Sequence, residues 1–173
     1  MSEKQPTSPT ATFIGRLAAL DPGERARLKR HAGKPLAESA DVLGLFYGLL
    51  RGLPVSTHAE ETFFLLATLY PLADGGGSGD LGLALRRATD ANSEEGIRRR
   101  LERLLDSDSA QLPFRLRQAV RMLQSKRVRV DWATLLDDLL RWNHQNRVVQ
   151  RKWARSYFGT AASPDDAQLQ LQS

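Results

Sequence analysis

The sequence predicts an all-α fold built as two small helical-bundle lobes. Apolar residues recur at intervals of three and four rather than two, and helix-capping signals repeat along the chain. Residues 97–158 read as consecutive amphipathic helices whose polar faces are almost entirely arginine and lysine. The expected organisation is a disordered N-terminus over 1–11, a first lobe over 12–90, a basic second lobe over 91–159 and a disordered tail over 160–173.

A short first helix is expected over 13–20. Asp21-Pro22-Gly23-Glu24 opens the second, with Asp21 as cap, Pro22 at the first helical position and Glu24 closing a capping box. Pro35 ends it. Residues 40–51 form a third helix with Val42, Leu43, Phe46, Leu49 and Leu50 as its stripe. Thr57-His58-Ala59-Glu60 reads as another capping box, leading into the apolar helix of Phe63, Phe64, Leu66, Ala67 and Tyr70 that Pro71 stops. The run ADGGGSGD over 73–80 is expected to loop out before a short helix over 81–89. Ser93 is then expected to cap a helix with Glu94 and Glu95 in its first turn. Further stripes follow: Ile97, Leu101, Leu104 and Leu105; then Leu112, Leu116, Ala119, Val120 and Leu123; then Trp132, Leu135, Leu136, Leu139 and Leu140 after the cap Asp131. A last helix over 145–158 packs Val149, Trp153 and Tyr157.

With 173 residues and 41% hydrophobic content the chain is large enough to bury a core. It has no cysteine, which excludes disulfides, iron–sulfur clusters and thiolate zinc sites. No apolar run approaches the roughly 20 residues that span a bilayer, and the opening MSEKQPTSPTAT does not resemble a signal peptide, so the cytoplasm is expected. Charge is regional. Residues 97–155 hold 15 basic and 6 acidic groups, net +9, whereas 1–96 and 156–173 each carry −2. A field of that sign attracts polyanions, phosphodiester backbones first.

Catalytic signals are weak. The histidines His31, His58 and His144 stand apart, and no cofactor is expected. Asp106 and Asp108 in DSDS, or Asp137 and Asp138, are the only carboxylate sets for a Mg²⁺-dependent nuclease; read structurally, DSDS is a helix exit followed by a cap. The glycine run lacks the Lys-Ser/Thr of a phosphate loop and the closing Glu of a calcium loop. Arg98, Arg99, Arg100 and Arg103 fit either a binding face or a solvated face paired with Glu94, Glu95 and Glu102. Arg115, Arg117, Arg121, Lys126, Arg127 and Arg129 have no acid between Pro113 and Val130, and none lies near Arg147, Arg151, Lys152 and Arg155. Arg117 with Arg121, and Arg147 with Arg151, sit one turn apart, a spacing that follows successive phosphates. Trp132 and Trp153 read as core; Trp142 and Tyr157 fit either core or base-stacking roles.

The segments LPFRLRQAVRML, VDWATLLDDLLRWN and VVQRKWARSYF, preceded by LAALDPGERARLKR and FFLLATLYPL, resemble the CasB family, the small subunit of the type I-E CRISPR surveillance complex Cascade. The resemblance spans residues 12–158. It implies a non-enzymatic, two-lobed helical protein present as two head-to-tail copies beside the backbone and large subunits. It also implies a role in holding the guide RNA and target DNA heteroduplex and in guiding the displaced strand of the R-loop. The family's basic positions fall on Arg30, with Lys29 beside it, on Arg115 and Arg117, and on Arg147 and Arg151; a further one falls on His58. With Arg121 these form the expected strand-binding set. The rival readings are a Mg²⁺-dependent nuclease and a helical adaptor for an acidic protein.

Overall fold

The computed structural model describes residues 7–159 and is all-α. Among the described residues β structure is limited to one isolated parallel bridge, Gly75 with Val130.

Helix α1 spans Pro9–Ala18, starting before the expected residue 13 and inside the segment expected to be disordered. Ser8 explains the difference: its Oγ accepts a hydrogen bond from the Ala11 amide at 3.1 Å, and Pro9 follows as the first helical residue. The rest of the expected disordered ends, 1–6 and 160–173, lies outside the described residues. Helix α2, Pro22–Lys29, carries the expected capping box. The Glu24 amide donates to Asp21 Oδ1 at 2.8 Å, and the Asp21 amide donates to Glu24 Oε2 at 3.1 Å. It ends short of Pro35 in a turn whose Gly33 has φ +80°.

Two 3₁₀ turns precede α3, Leu43–Leu50, and a third, Thr57–Ala59, precedes α4, Glu60–Leu69. No capping box forms at 57–60: the Glu60 carboxylate instead accepts the Tyr47 hydroxyl at 2.8 Å. Every residue from 63 to 69 is buried, which makes α4 the central helix. Phe63 meets Phe13 edge-on at 5.0 Å, and Phe64 meets Phe46 in the same way at 5.1 Å.

The second half contains α5 (Leu81–Ala88), α6 (Glu94–Leu105), α7 (Leu112–Ser125), α8 (Trp132–Leu140) and α9 (Val148–Phe158). Asp80 and Asp131 cap α5 and α8 through the amides of Leu83 and Thr134. Ser93 does not cap α6; Asp90 Oδ1 takes its hydroxyl and its amide, closing an Asx turn. The start of α9 shifts from 145 to 148 because Arg147 adopts φ +49°.

Packing crosses the division drawn at residue 90. Helices α1 and α4 both pack on α8, and α5, expected in the first lobe, packs on α9, α7 and α6. One continuous apolar cluster runs from Phe13 to Trp153. The glycine run does not loop out. The Val130 amide donates to the Asp74 carbonyl at 2.9 Å, and the Gly77 amide donates to the Val130 carbonyl at 3.2 Å. A side chain at Gly77 would collide with the Arg129 carbonyl, so glycine here serves close approach rather than mobility.

Helices α5 and α9 approach closely at Gly82, where a Cβ would overlap the Trp153 backbone carbonyl on α9. Gly82→Ala is therefore expected to destabilise the fold by about 1–3 kcal/mol in thermal or urea unfolding. Gly15→Ala, at an open helical site, should leave stability unchanged or raise it by about 0.4–1 kcal/mol.

Candidate nucleic-acid interface

The helical period of α6 turns Ile97, Leu101 and Leu104 inward and leaves its arginines outside. They divide into two kinds. Arg98 pairs with Glu102 at 2.7 Å and Arg99 pairs with Glu95, so these two cations are neutralised on the helix surface. Arg100 and Arg103 are exposed and have no acidic partner among the described residues.

The basic residues of α7 differ in their surroundings. Arg115 Nη1 donates to the Arg103 carbonyl and to Ser107 Oγ, which ties the start of α7 to the exit of α6. Arg117 is half-buried beside Gly33, with its Nε enclosed and without a hydrogen-bond partner. Arg121, one turn on, is exposed and unpaired among the described residues. Helix α7 closes with Val128 N donating to the Leu123 carbonyl and Arg127 at φ +58°, a left-handed cap that glycine usually fills. Lys126, which has no acid within one turn, pairs through space with Asp90 at 2.8 Å. That ammonium, with the Ser93 hydroxyl, holds the Asp90 carboxyl down at about 2.

On α9, Val149 and Trp153 point inward while Arg151 and Arg155 are exposed. Lys152 is held by Asp138, whose side chain is 1% exposed and also meets Arg141 at 3.5 Å. Trp153 Nε1 donates to the other oxygen of Asp138 at 2.8 Å. Arg147 Nη2 donates to the Leu105 carbonyl, so Arg115 and Arg147 converge on the carbonyl end of α6, where cations are favoured.

Lys29 and Arg30 are exposed at the end of α2. The turn that follows lays Gly33 against Pro113 and Arg117, so the α2 exit sits on the first turns of α7. The expected set thus does not collect in one place. Arg115 and Arg147 meet at the α6 exit, with Arg151 one turn further along α9, while Arg117 lies against Gly33 in the turn after α2 with Arg121 one turn further along α7, and Lys29 lines a separate concavity with Tyr70, Pro71 and Asp74. His58 is exposed and lines a cleft together with Lys34, Glu61 and Phe114.

Other candidates resolve differently. Trp142 is buried, its Nε1 donating to the Ser107 carbonyl at 3.2 Å, and Tyr157 is half-buried near Thr89. The exposed aromatic of the basic half beside α6 is Phe114, which falls between the inward positions 112 and 116. Its offset from that stripe, and the absence of any acid three or four residues from Arg100, were visible signals. Asp108 Oδ1 accepts the Ala110 and Gln111 amides, so DSDS is a helix exit and a turn as the structural reading has it, although the cap position of α7 is Gln111, which makes no side-chain cap bond. Among the described residues no three His, Asp or Glu side chains gather as a metal site, and no helix is long and apolar enough to cross a membrane.

The model of the family described as CRISPR-associated protein Cse2 matches residues 24–158. This chain belongs to the Cse2 family. It is 39% identical over 116 residues to a CRISPR-associated protein Cse2 of Thermus thermophilus, the alignment spanning 66% of this chain and 66% of that relative, just under two thirds. A crystal structure of a Cse2-family protein from the same organism superimposes with a TM-score of 0.76 at 32% identity, over 89% of this chain and all of that one. A chain of a CRISPR RNA-guided surveillance complex shares the fold with a TM-score of 0.74 at 23% identity, over 95% of this chain and 98% of that one.

The Asp90–Lys126 pair generates a pH-dependent prediction. A carboxyl held below its ordinary value of 3.8 contributes stability above that value and loses it as pH falls through about 2. Asp90→Asn should lower the urea midpoint at neutral pH, with the difference from wild type closing between 3.8 and about 2. A constant difference across that range would contradict the pairing.

Proposed function

We propose that this Cse2-family chain is the small subunit of a type I-E Cascade complex in cytoplasmic antiviral defence, a non-catalytic part that holds nucleic-acid backbones. One observation carries the reading: the exposed cations Lys29, Arg30, Arg121 and Arg151 lack an acidic partner among the described residues, whereas Arg98, Arg99, Lys126 and Lys152 are neutralised. Fold similarity to a chain of an RNA-guided surveillance complex supports the same context.

R-loop formation exchanges one duplex for another of similar stability, so modest backbone contacts decide how long the opened state persists. Each phosphate neutralised by an arginine or lysine releases condensed counterions, which favours binding most at low salt. Arg117 and Arg121 supply one stretch of such contacts, Arg151, beyond Arg115 and Arg147, supplies another, and Lys29 and Arg30 at the end of α2 supply a third. Two copies of the chain, seated beside the backbone and large subunits, extend this track along the guide RNA, the target DNA and the displaced strand. The recognition is of phosphate and shape, not of base sequence. The nuclease reading finds Asp108 receiving two backbone amides and Asp138 enclosed by two cations and Trp153.

Reversing Lys29, Arg30, Arg121 and Arg151 to Glu should leave thermal stability near wild type, because all four are exposed. Target DNA retention by the reconstituted complex should fall by at least about tenfold, and the log–log salt slope should shallow by about 0.9 per lost phosphate contact. Arg115→Glu or Arg147→Glu should lower stability as well, since each bonds the α6 exit. Unchanged retention of the fourfold variant at low and moderate salt would overturn the proposal.

A further inference from the structure

Between α6 and α7 lies a concavity of about 450 Å³ lined by Arg100, Arg103, Phe114, Arg115, Gln118 and Ala119. Its wall contains three guanidiniums and no carboxylate. Arg115 is anchored to the Arg103 carbonyl, while Arg100 and Arg103 have no acidic partner among the described residues. Phe114 is 61% exposed, although Leu112 and Leu116 on either side of it are buried. Phe114 also lines a second cleft with Leu65 and Leu139, so it stands between an apolar-lined cleft and the cationic concavity.

We propose that this concavity takes one unpaired nucleotide of a bound single strand, its base on the face of Phe114 and its phosphate on Arg100 and Arg103. The inference rests on the strand-binding reading above and adds a base contact to a surface otherwise suited to phosphate alone. The chemistry is specific to that pairing of groups. A flat π-face takes a base of any identity, planar guanidiniums donate paired hydrogen bonds to phosphate oxygens, and the Gln118 amide in the lining offers both a donor and an acceptor. An inorganic anion would use the arginines without the ring, and an aliphatic partner would use the ring without the arginines. A nucleotide uses both.

Fluorescence anisotropy of the full chain with labelled oligothymidylate of about 15 nucleotides, and with a matching abasic strand, tests the assignment. Phe114→Leu should weaken oligothymidylate binding about tenfold, leave the abasic strand unaffected, and be restored by Phe114→Trp. The double change Arg100→Gln with Arg103→Gln should weaken both strands. Equal binding of oligothymidylate by Phe114→Leu and wild type, equal losses on the two strands, or no binding by the wild-type chain at low salt would each overturn the pocket. Retention of polyglutamate with the same Phe114 dependence would assign the surface to an acidic protein and likewise overturn a nucleotide site. None of these results decides the proposed function, which reads out from the assembled complex through Lys29, Arg30, Arg121 and Arg151.

Discussion

The basic half of the molecule is organised around Trp153. Its side chain is fully buried, its indole nitrogen is bonded to the buried carboxylate of Asp138, and its ring lies 5.2 Å from that of Trp142. Its backbone carbonyl faces Gly82, the residue that lets α5 approach α9. An indole N–H buried without an acceptor, or a carboxylate buried without donors, would be costly. Pairing them fixes the rotation of α9 about its axis, and that rotation turns Arg151 and Arg155 to solvent. A second link, Gln150 to the Trp142 carbonyl at 2.9 Å, holds the entrance of the same helix.

That arrangement sorts the cations by function rather than by number. Several that contribute to the +9 of residues 97–155 are internal fittings. Lys152 balances Asp138, Lys126 balances Asp90, and Arg115 and Arg147 satisfy carbonyls at the end of α6. Neutralised or occupied in this way, they stabilise the scaffold from which the remaining cations project. The surface field is therefore carried by fewer side chains than the composition suggests: Arg100, Arg103, Arg121, Arg151 and Arg155 project from helices, while Arg127 and Arg129 lie in the turn after α7.

Much of this was legible in the sequence because the signals are local. The Asp21–Glu24 capping box, the Asp131 cap and the apolar stripes of α6 to α8 each depend on residues within about two turns of one another. Where the competing partner is distant, local reasoning fails. Glu60 is taken by Tyr47, thirteen positions away, so no box forms at 57–60. The glycine run is bound by residues 129–130, far along the chain, and composition alone reads it as a free loop. Lys126 and Lys152 find acids 36 and 14 positions away, beyond any helical spacing rule. The start of α1 is a different case: Ser8-Pro9 is a local cap signal, hidden because the residues around it are small and polar.

The most direct test of the central claim, that strand contact is made by cations left without an intramolecular acid, is arginine footprinting. Phenylglyoxal modification of the reconstituted complex, with and without target DNA, would be mapped by mass spectrometry. Arg100, Arg103, Arg121 and Arg151 should be shielded when DNA is bound, while Arg98 and Arg99, neutralised on the same α6 surface, should react as before. Equal shielding of Arg98 and Arg99, or no shielding at Arg121 and Arg151, would contradict the account.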